Sequence, residues 1–342
     1  MALWVVRAGR QGEHEEFCLS NNAAAIGWDR LPDLSKFDSQ EKLRALYEDI
    51  YTDRTKAHVS NALGQLWNFL GRMNENDLVV FPLKTRSAIA VGRVEGPYKH
   101  CSNNPDGAKH TRKVKWIRTD LPRNAFGQDL LASFGAFRTV SQVQCSEAEM
   151  RVQAILKCGA DPQLGEEGEK KTSGPSDAPE IDIEQHALDQ IRAFITAKFH
   201  GHEFTRLVAE VLRAQGYSTY VAMPGPDGGV DILAGRGPMG FDAPRLCVQV
   251  KSGRDPENVN TLRELQGVMK NFGAQQGLLV SWGGFKDTVY KEARTLFFDL
   301  RLWDADRFIQ ALLDSYDQLS DEIQAELPLK KVWALVPEEQ GS

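Results

Sequence analysis

The sequence predicts an α/β protein with two domains, a small β-barrel-like domain followed by a mixed sheet with helices on its faces. Its 342 residues fit about two domains of roughly 150 residues each. A stretch poor in apolar residues, LGEEGEKKTSGPSDAPEIDIEQ, separates the two halves. The halves also differ in pattern, since short strands dominate the first and strands alternate with helices in the second.

The first half, residues 1–150, is predicted to be the β-rich domain. Residues 3–6 form a short apolar strand, and the apolar runs 77–83 and 87–94 fit a hairpin. Residues 112–118 alternate basic and apolar side chains, as a strand with one buried face does. Residues 56–72 carry apolar side chains at helical spacing, which predicts a helix.

A flexible acidic linker is predicted over residues 160–185. Residues 146–185 hold 4 basic and 10 acidic residues. A segment with this composition buries too little apolar surface to offset the entropy of ordering it. The linker therefore separates the first domain from a second domain over residues 186–335.

The second half has a clearer order of elements. A helix with an apolar face over residues 204–212 ends near Gly216, and a strand and the turn PGPDGG follow. The remaining pattern gives the order α-β-β-β-α-β-α-β-α. This order predicts a mixed sheet covered by helices.

Composition excludes several classes of protein. The chain is 42% hydrophobic and 26% charged, and no apolar run approaches the length of a membrane span. We therefore expect no membrane segment, and the polar start argues against a signal peptide. The five cysteines are scattered and show no metal-ligand spacing, which favours a reducing, cytoplasmic location.

Three polar residues of the second half carry the chemistry. Asp231 follows the glycine turn, and Gln249 and Lys251 lie two residues apart on the next strand, so they share a face. If the two strands pair, a carboxylate, an amide oxygen and an ammonium converge. Carboxylate and carbonyl oxygens suit Mg²⁺, and a lysine can offset phosphate charge. This set fits phosphodiester hydrolysis.

The second half resembles the catalytic domain of the Mrr family of restriction endonucleases, a branch of the PD-(D/E)xK superfamily. The matching stretches are GHEFTRLVAEVLRAQGY, PGPDGGVDI, CVQVKS, GLLVSWGGF and ELPLKKVWAL. The resemblance implies a restriction-endonuclease-like fold and a Mg²⁺-dependent activity in which Mn²⁺ substitutes. It makes Asp231 the principal metal ligand, Gln249 the second ligand and Lys251 the catalytic lysine.

One position departs from this family. Members often carry an acid directly after the helix phenylalanine, where this chain has Thr205. Glu203 and Glu210 lie on one flank of the same helix and are the alternatives for the missing carboxylate. We favour Glu203, which lies in the GHEF stretch, as the fourth catalytic residue.

The first half carries a basic block. Residues 84–123 hold 10 basic and 3 acidic residues, and such a block attracts a polyanion or forms a solvated strand face. The candidate phosphate contacts are Lys109, Arg112, Lys113, Lys115 and Arg118.

The stretches LWVVRAG, NDLVVFPL and AIAVGRV resemble the PUA-like or EVE-like group of domains, which includes YTH domains. This resemblance implies a small barrel with an aromatic pocket for a flipped-out base. Trp28 and Tyr98 are the candidate pocket walls. Trp67 and Trp116 fit core positions better.

Together these features predict a cytoplasmic, homodimeric endonuclease that cuts double-stranded DNA as Mrr-like, type IV restriction enzymes do. Its first domain would recognise DNA through a modified base, in defence against foreign DNA. Three alternatives stay open: a nuclease that reads an unmodified sequence or structure, an inactive DNA-binding or sensor protein, and a first domain that binds RNA.

Overall fold

The computed structural model describes residues 1–9, 11–135, 138–164, 182–223 and 229–334. The chain divides into two compact units, one formed by Met1–His186 and one by Ala187–Trp333. Each unit has its own sheet, with separate apolar cores packed on the sheet faces.

The N-terminal unit contains strands and helices in nearly equal number. Its strands are β1 (Leu3–Val6), β2 (Ala23–Ile26), β3 (Leu78–Pro82), β4 (Ala88–His100), β5 (His110–Pro122) and β6 (Val140–Gln142). Its helices are α1 (Glu15–Ser20), α2 (Gln40–Ile50), α3 (Lys56–Trp67), α4 (Gln128–Phe134) and α5 (Ala148–Cys158).

One mixed sheet organises this unit, with the strand order β2-β5-β4-β3-β1-β6. Strands β1 and β3 are parallel, whereas β4 pairs antiparallel with both β3 and β5. Alternate residues of β1 enter different cores, since Trp4 packs with α2 and α3 while Leu3 and Val5 pack with α4 and α5. The sheet is therefore covered on both faces.

The predicted strand 3–6, the hairpin and the strand over 112–118 are all confirmed. The predicted helix is confirmed as α3, which continues as a π-helical turn over Asn68–Arg72. In the described part of the unit, β2 and β6 form the two edges of the sheet. The barrel closure implied by the PUA-like resemblance stays a prediction.

Both ends of the predicted linker are ordered. Asp161 is buried and accepts hydrogen bonds from the Arg151 guanidinium, at 3.0 Å to Nε and 2.6 Å to Nη2. Helix α6 (Ile183–Lys198) begins before residue 185. The middle of the predicted linker, residues 165–181, lies outside the described residues.

The C-terminal unit has three consecutive strands after its second helix and then alternates helices with strands. Its strands are β7 (Ser218–Val221), β8 (Ile232–Arg236), β9 (Asp242–Lys251), β10 (Gln276–Ser281) and β11 (Leu300–Trp303). After α6, its helices are α7 (His202–Ala214), α8 (Val259–Asn271), α9 (Asp287–Thr295), α10 (Ala305–Asp314) and α11 (Asp321–Glu326). From α7 to α10 the predicted order of elements is confirmed.

The second sheet has the order β11-β10-β9-β8-β7, in which β9, β10 and β11 are parallel and β7, β8 and β9 are antiparallel. Helices α7 and α10 cover one face through Phe204, Val208 and Phe308, and α8 and α9 cover the other through Leu265 and Val289. The sheet is mixed and covered on both faces, as predicted.

Gly216 ends the turn that follows α7. It has φ +86°, in the left-handed region that favours glycine, and its N–H donates to the Arg213 carbonyl at 2.8 Å. Among the described residues, the helices are all too short or too polar to cross a bilayer.

Candidate active site

The start of β8 and the end of β9 bring together two of the predicted catalytic residues. The antiparallel register pairs Ile232 with Val248, so Asp231 lies opposite Gln249. The Asp231 N–H donates to the Val248 carbonyl at 3.0 Å, and the Val250 N–H donates to Asp231 Oδ2 at 2.7 Å. Residues directly opposite in an antiparallel pair share a face, so the carboxylate and the amide lie side by side.

Lys251 joins this pair because it lies two residues after Gln249 on β9. Cys247 on the same strand and Leu279 on β10 share this face and pack with α8 and α9. The intervening residues Val248 and Val250 pack in the opposite core with α7. Asp231, Gln249 and Lys251 therefore lie on the α8–α9 face, at the carboxyl end of β9.

Gln249 is 6% exposed, and its Oε1 has no hydrogen-bond partner among the described residues. A buried acceptor without a donor costs about 1–3 kcal/mol. An oxygen kept in this state beside a carboxylate is suited to bind a cation, since both groups are hard ligands. The Asp231–Gln249 pair thus fits a divalent metal ion.

The described part of the chain contains no cluster of three or more histidine, cysteine or carboxylate side chains that could hold a metal. The Asp231–Gln249 pair is therefore not completed by a further ligand of these types among the described residues. Cys247 is buried, and burial raises the pKa of its thiol to about 11, so it stays protonated.

Asp227 and the rest of the turn 224–228 lie outside the described residues. Gly229 follows with φ +87°, and a Cβ there would lie 3.3 Å from Val268 Cγ2.

Lys251 is half-buried and forms no ion pair among the described residues. Its backbone is fixed, because the Trp282 N–H donates to its carbonyl at 2.8 Å. Trp282 is itself a core residue, as predicted, with its ring edge-on to Phe204 at 5.1 Å. The strand thus places Lys251 on the same face as Gln249, where no described carboxylate forms an ion pair with it.

The structure does not bring Glu203 to this set. Helix α7 covers the opposite face of the sheet, and the Glu203 side chain is 54% exposed and bonded to Arg206 Nε at 2.9 Å. Arg206 also pairs with Glu326 of α11 at 2.7 Å. The alternative, Glu210, pairs with Arg213 and accepts from Ser320 Oγ. Both glutamates are engaged in surface ion pairs.

Arg112 requires a correction in the N-terminal unit. It was expected on the phosphate-binding face, but it is 5% exposed. Its guanidinium donates to the carbonyls of Phe69 at 2.6 Å, Leu70 at 2.8 Å and Gly96 at 3.2 Å. Even-numbered residues of this part of β5 point inward, so Arg112 holds the π-helical turn and β4 instead of contacting a phosphate.

The other basic candidates reach the surface. Lys113 and Lys115 are exposed on one face of β5, and Lys113 pairs with Glu95 at 3.2 Å. Lys109 pairs with Asp106 at 2.5 Å just before the strand, and Arg118 pairs with Asp120 at 2.8 Å. Lys115 forms no ion pair among the described residues.

Trp28 and Tyr98, expected as pocket walls, both lie in the core and are 2% and 9% exposed. Burial raises the pKa of Tyr98 to about 12 and lowers the pKa of His110. The phenol accepts from the Leu34 N–H and lies 2.7 Å from His110 Nδ1, while His110 Nε2 lies 3.2 Å from the Trp28 carbonyl. His110 thus lies between the Tyr98 hydroxyl and the carbonyl of Trp28, whose backbone has φ +67°.

Comparison with protein families matches residues 196–312 to Mrr_cat, a restriction endonuclease family. Residues 4–134 match a domain of unknown function, DUF8426. No curated protein matches the chain.

Three solved structures are similar. The modification-dependent restriction endonuclease AspBHI is 17% identical with a TM-score of 0.32, over 74% of this chain and 67% of that one. MspJI restriction endonuclease in complex with a 27-mer oligonucleotide is 12% identical with a TM-score of 0.31, over 95% and 79%. AF1548, a protein of unknown function, is 18% identical with a TM-score of 0.27, over 36% and 77%.

The family match spans α7 to α10 and includes Asp231, Gln249 and Lys251, the three residues that the strand register brings together. The C-terminal part of this chain is a restriction endonuclease domain of the Mrr_cat family.

Proposed function

We propose that this protein is a divalent-metal-dependent endonuclease that hydrolyses phosphodiester bonds of double-stranded DNA in the restriction of foreign DNA. The C-terminal unit cuts, and the N-terminal unit recognises the DNA through a modified base. The match of residues 196–312 to a restriction endonuclease family supports the reaction class.

The observation that carries this proposal is the buried, unpartnered Gln249 Oε1 beside Asp231. A structural glutamine in a sheet would have its amide satisfied, because a buried polar group without a partner destabilises the fold. Here the Gln249 oxygen has no partner among the described residues and lies next to a carboxylate and a lysine. This arrangement favours a cation as the partner of Gln249 and Asp231, and a phosphate as the partner of Lys251.

Asp231 and Gln249 would hold Mg²⁺, for which Mn²⁺ would substitute as a similar hard ion. The bound ion would activate water and offset phosphate charge. Asp231 is oriented by the Val250 N–H, so its carboxylate is fixed before any ligand arrives. Lys251 places its ammonium at the same edge, where it would stabilise negative charge developing on the phosphate.

Glu203 has a secondary role in this proposal. Its carboxylate is exposed and bonded to Arg206, and α7 covers the opposite face of the sheet, so Glu203 would have to leave Arg206 and reach past the edge of the sheet to join the site. Its contribution would be smaller than that of Asp231, which needs no such rearrangement.

Lys113 and Lys115 would contact DNA phosphates, with Lys109 and Arg118 at the ends of the same strand region. One active site cuts one strand, so a double-strand break needs two sites, and we propose a homodimer. The five cysteines are all free thiols, consistent with action in the cytoplasm.

The experiment is Mg²⁺-dependent cleavage of plasmid and phage DNA, unmodified or carrying modified cytosine or adenine. Wild type is compared with Lys251→Ala and with Lys270→Ala, which removes an exposed lysine near the end of α8. We expect wild type and Lys270→Ala to cut modified DNA and Lys251→Ala to be inactive.

Other outcomes identify the alternatives. Cleavage of modified and unmodified DNA at equal rates would show that the protein reads sequence or structure. Tight binding without cleavage in either Mg²⁺ or Mn²⁺ would identify a DNA-binding or sensor protein. Preference for RNA over duplex DNA in a competition assay would assign the N-terminal unit to RNA.

A further inference from the structure

Tyr220 is an exposed aromatic residue on the same face of the second sheet as the proposed catalytic set. The register pairs Tyr220 of β7 with Leu233 of β8, and Leu233 with Cys247 of β9, so these three side chains share a face. Cys247 lies on the α8–α9 face, two residues before Gln249 on the same strand. Tyr220 therefore belongs to the face that carries the three proposed catalytic residues.

Tyr220 is also a near neighbour of Asp231 in the sheet. The Ala222 N–H donates to the Asp231 carbonyl at 2.9 Å, and the register places Ala222 opposite Asp231, so Tyr220 is the diagonal neighbour of Asp231. Diagonal neighbours in an antiparallel pair lie about 7–8 Å apart, which is within reach of an aromatic side chain. A DNA strand with a phosphate bound at Asp231 can therefore extend over Tyr220.

The Tyr220 side chain is 62% exposed, so helices α8 and α9 leave this edge of the face open. It forms no hydrogen bond or ring contact with a described residue. The other two β7 positions on this face differ, since Ser218 Oγ donates to the Gly237 carbonyl at 3.0 Å and Ala222 has no polar or aromatic group. Tyr220 is thus the side chain of β7 that is available to a ligand on this face.

The β8–β9 turn bounds this open strip on the side away from the catalytic set. Gly235 pairs with Ser218, and a Cβ on Gly235 would overlap the Gly240 carbonyl. A Cβ on Gly240 would in turn lie 3.1 Å from Ser218 Cβ. The turn is therefore folded onto the sheet face, where it carries two exposed apolar side chains, Met239 and Phe241.

We propose that Tyr220 binds the DNA strand next to the cut, with its ring against the nucleotide beside the scissile phosphate and its hydroxyl donating to the neighbouring phosphate. This assignment rests on the proposed function and names a further DNA-binding residue of the same site. The occupant is the cut strand because the strip is continuous with the face that carries Asp231. Tyrosine hydroxyls are among the donors that proteins use for phosphate contacts, and aromatic rings bind nucleotides without regard to sequence.

The test measures single-turnover cleavage by the full-length protein at increasing enzyme concentration, on a DNA that wild type cuts. The dependence on enzyme concentration gives the apparent dissociation constant and the maximal rate. Tyr220→Phe removes the hydroxyl, and Tyr220→Ala removes the ring as well. The matched control is Phe298→Ala, since Phe298 is 82% exposed and precedes β11 at the amino ends of the parallel strands, away from the catalytic set.

We expect the apparent dissociation constant to rise about 5-fold for Tyr220→Phe, as for the loss of one hydrogen bond, and about 10-fold or more for Tyr220→Ala. The maximal rate should change by less than about 2-fold, because the contact lies beside the reacting atoms and acts on binding. Phe298→Ala should match wild type in both quantities. Melting temperatures are measured in parallel, and if Tyr220→Ala is destabilised, Tyr220→Phe, which keeps the ring, decides the test.

Wild-type affinity in Tyr220→Ala would overturn the assignment, and wild-type affinity in Tyr220→Phe would overturn the phosphate contact. An equal loss of affinity in Phe298→Ala would also overturn it, because the effect would not be specific to this strip. Strand β7 is an edge of the sheet, so a change of oligomeric state in Tyr220→Ala without a change of affinity would identify a second copy of the chain as the occupant. If wild type cuts no DNA, the proposed function itself fails, whereas cleavage with unchanged affinity rejects the role of Tyr220 alone.

Discussion

Two buried polar side chains, Arg112 in the N-terminal unit and Gln249 in the C-terminal unit, differ in how their polar atoms are satisfied. In the N-terminal unit, Arg112 is buried but donates to three backbone carbonyls. In the C-terminal unit, Gln249 is buried to a similar degree, yet its Oε1 has no partner among the described residues. A satisfied buried group stabilises the fold, whereas an unsatisfied one destabilises it until a ligand binds. We interpret this difference as a structural role for Arg112 and, together with the neighbouring Asp231 and Lys251, as support for the metal-binding role proposed for Gln249.

The largest effect is expected at Asp231, the negatively charged member of the proposed catalytic set. Asp231→Asn keeps the size of the side chain but removes the charge that would hold the metal. We expect the cleavage rate to fall by about 10²-fold or more, as for the loss of a key electrostatic group. Single-turnover cleavage measures this effect. DNA binding should remain, and a variant that cuts at the wild-type rate would contradict the assigned role.

Arg112 and its neighbour Lys113 test the structural half of the comparison. Arg112→Ala leaves three carbonyls without their charged donor, so we expect a loss of roughly 3 kcal/mol in the free energy of unfolding. Lys113→Ala, on the exposed side of the same strand, should change stability by less than about 0.5 kcal/mol. Chemical denaturation of both variants checks this. Equal stabilities would show that the guanidinium does not hold the fold.

Gln249→Leu tests the functional half. It replaces the amide, whose Oε1 has no partner among the described residues, by an apolar side chain of similar volume, so we expect stability to rise by about 1 kcal/mol while cleavage is lost. Thermal melting and plasmid cleavage are measured on the same preparation. A variant that loses stability as well as activity would show that the amide is satisfied in the folded protein and that its role is structural.

The smallest effect is expected from His110 in the Tyr98 network. Burial lowers its pKa from 6.5, so the unfolded chain binds a proton more readily than the folded one. The stability that comes from this difference between the folded and unfolded pKa of His110 is fully present above pH 6.5. It is lost as the pH falls from 6.5 through the lower pKa of the folded protein. We expect a lower melting temperature at about pH 5.5 than at about pH 7.5. His110→Gln should reduce this difference, and an unchanged difference would assign it to other groups, such as His58, whose pKa is also lowered by burial.

The grouping of Asp231, Gln249 and Lys251 could be predicted because it depends on local geometry. Strand alternation puts Gln249 and Lys251 on one face, and pairing of consecutive strands brings Asp231 opposite. The order of elements from α7 to α10 followed from the same periodicities. The state of Gln249 Oε1 could not be predicted, because it depends on the packing of α8 and α9 against the sheet.

The N-terminal candidates were harder to place. Arg112 and Lys113 are adjacent and both basic, and only the packing of the π-helical turn onto β4 and β5 shows which one is buried. Trp28 was expected in a pocket, but helices α2 and α3 cover it.

The most direct test of the central claim is single-turnover cleavage of one modified plasmid in Mg²⁺ by wild type, Lys251→Ala and Lys270→Ala, with and without EDTA. We expect wild type and Lys270→Ala to cut at the same rate, EDTA to stop both, and Lys251→Ala to leave the plasmid intact. Cleavage by Lys251→Ala at the wild-type rate would contradict the claim that the edge formed by Asp231, Gln249 and Lys251 is the active site.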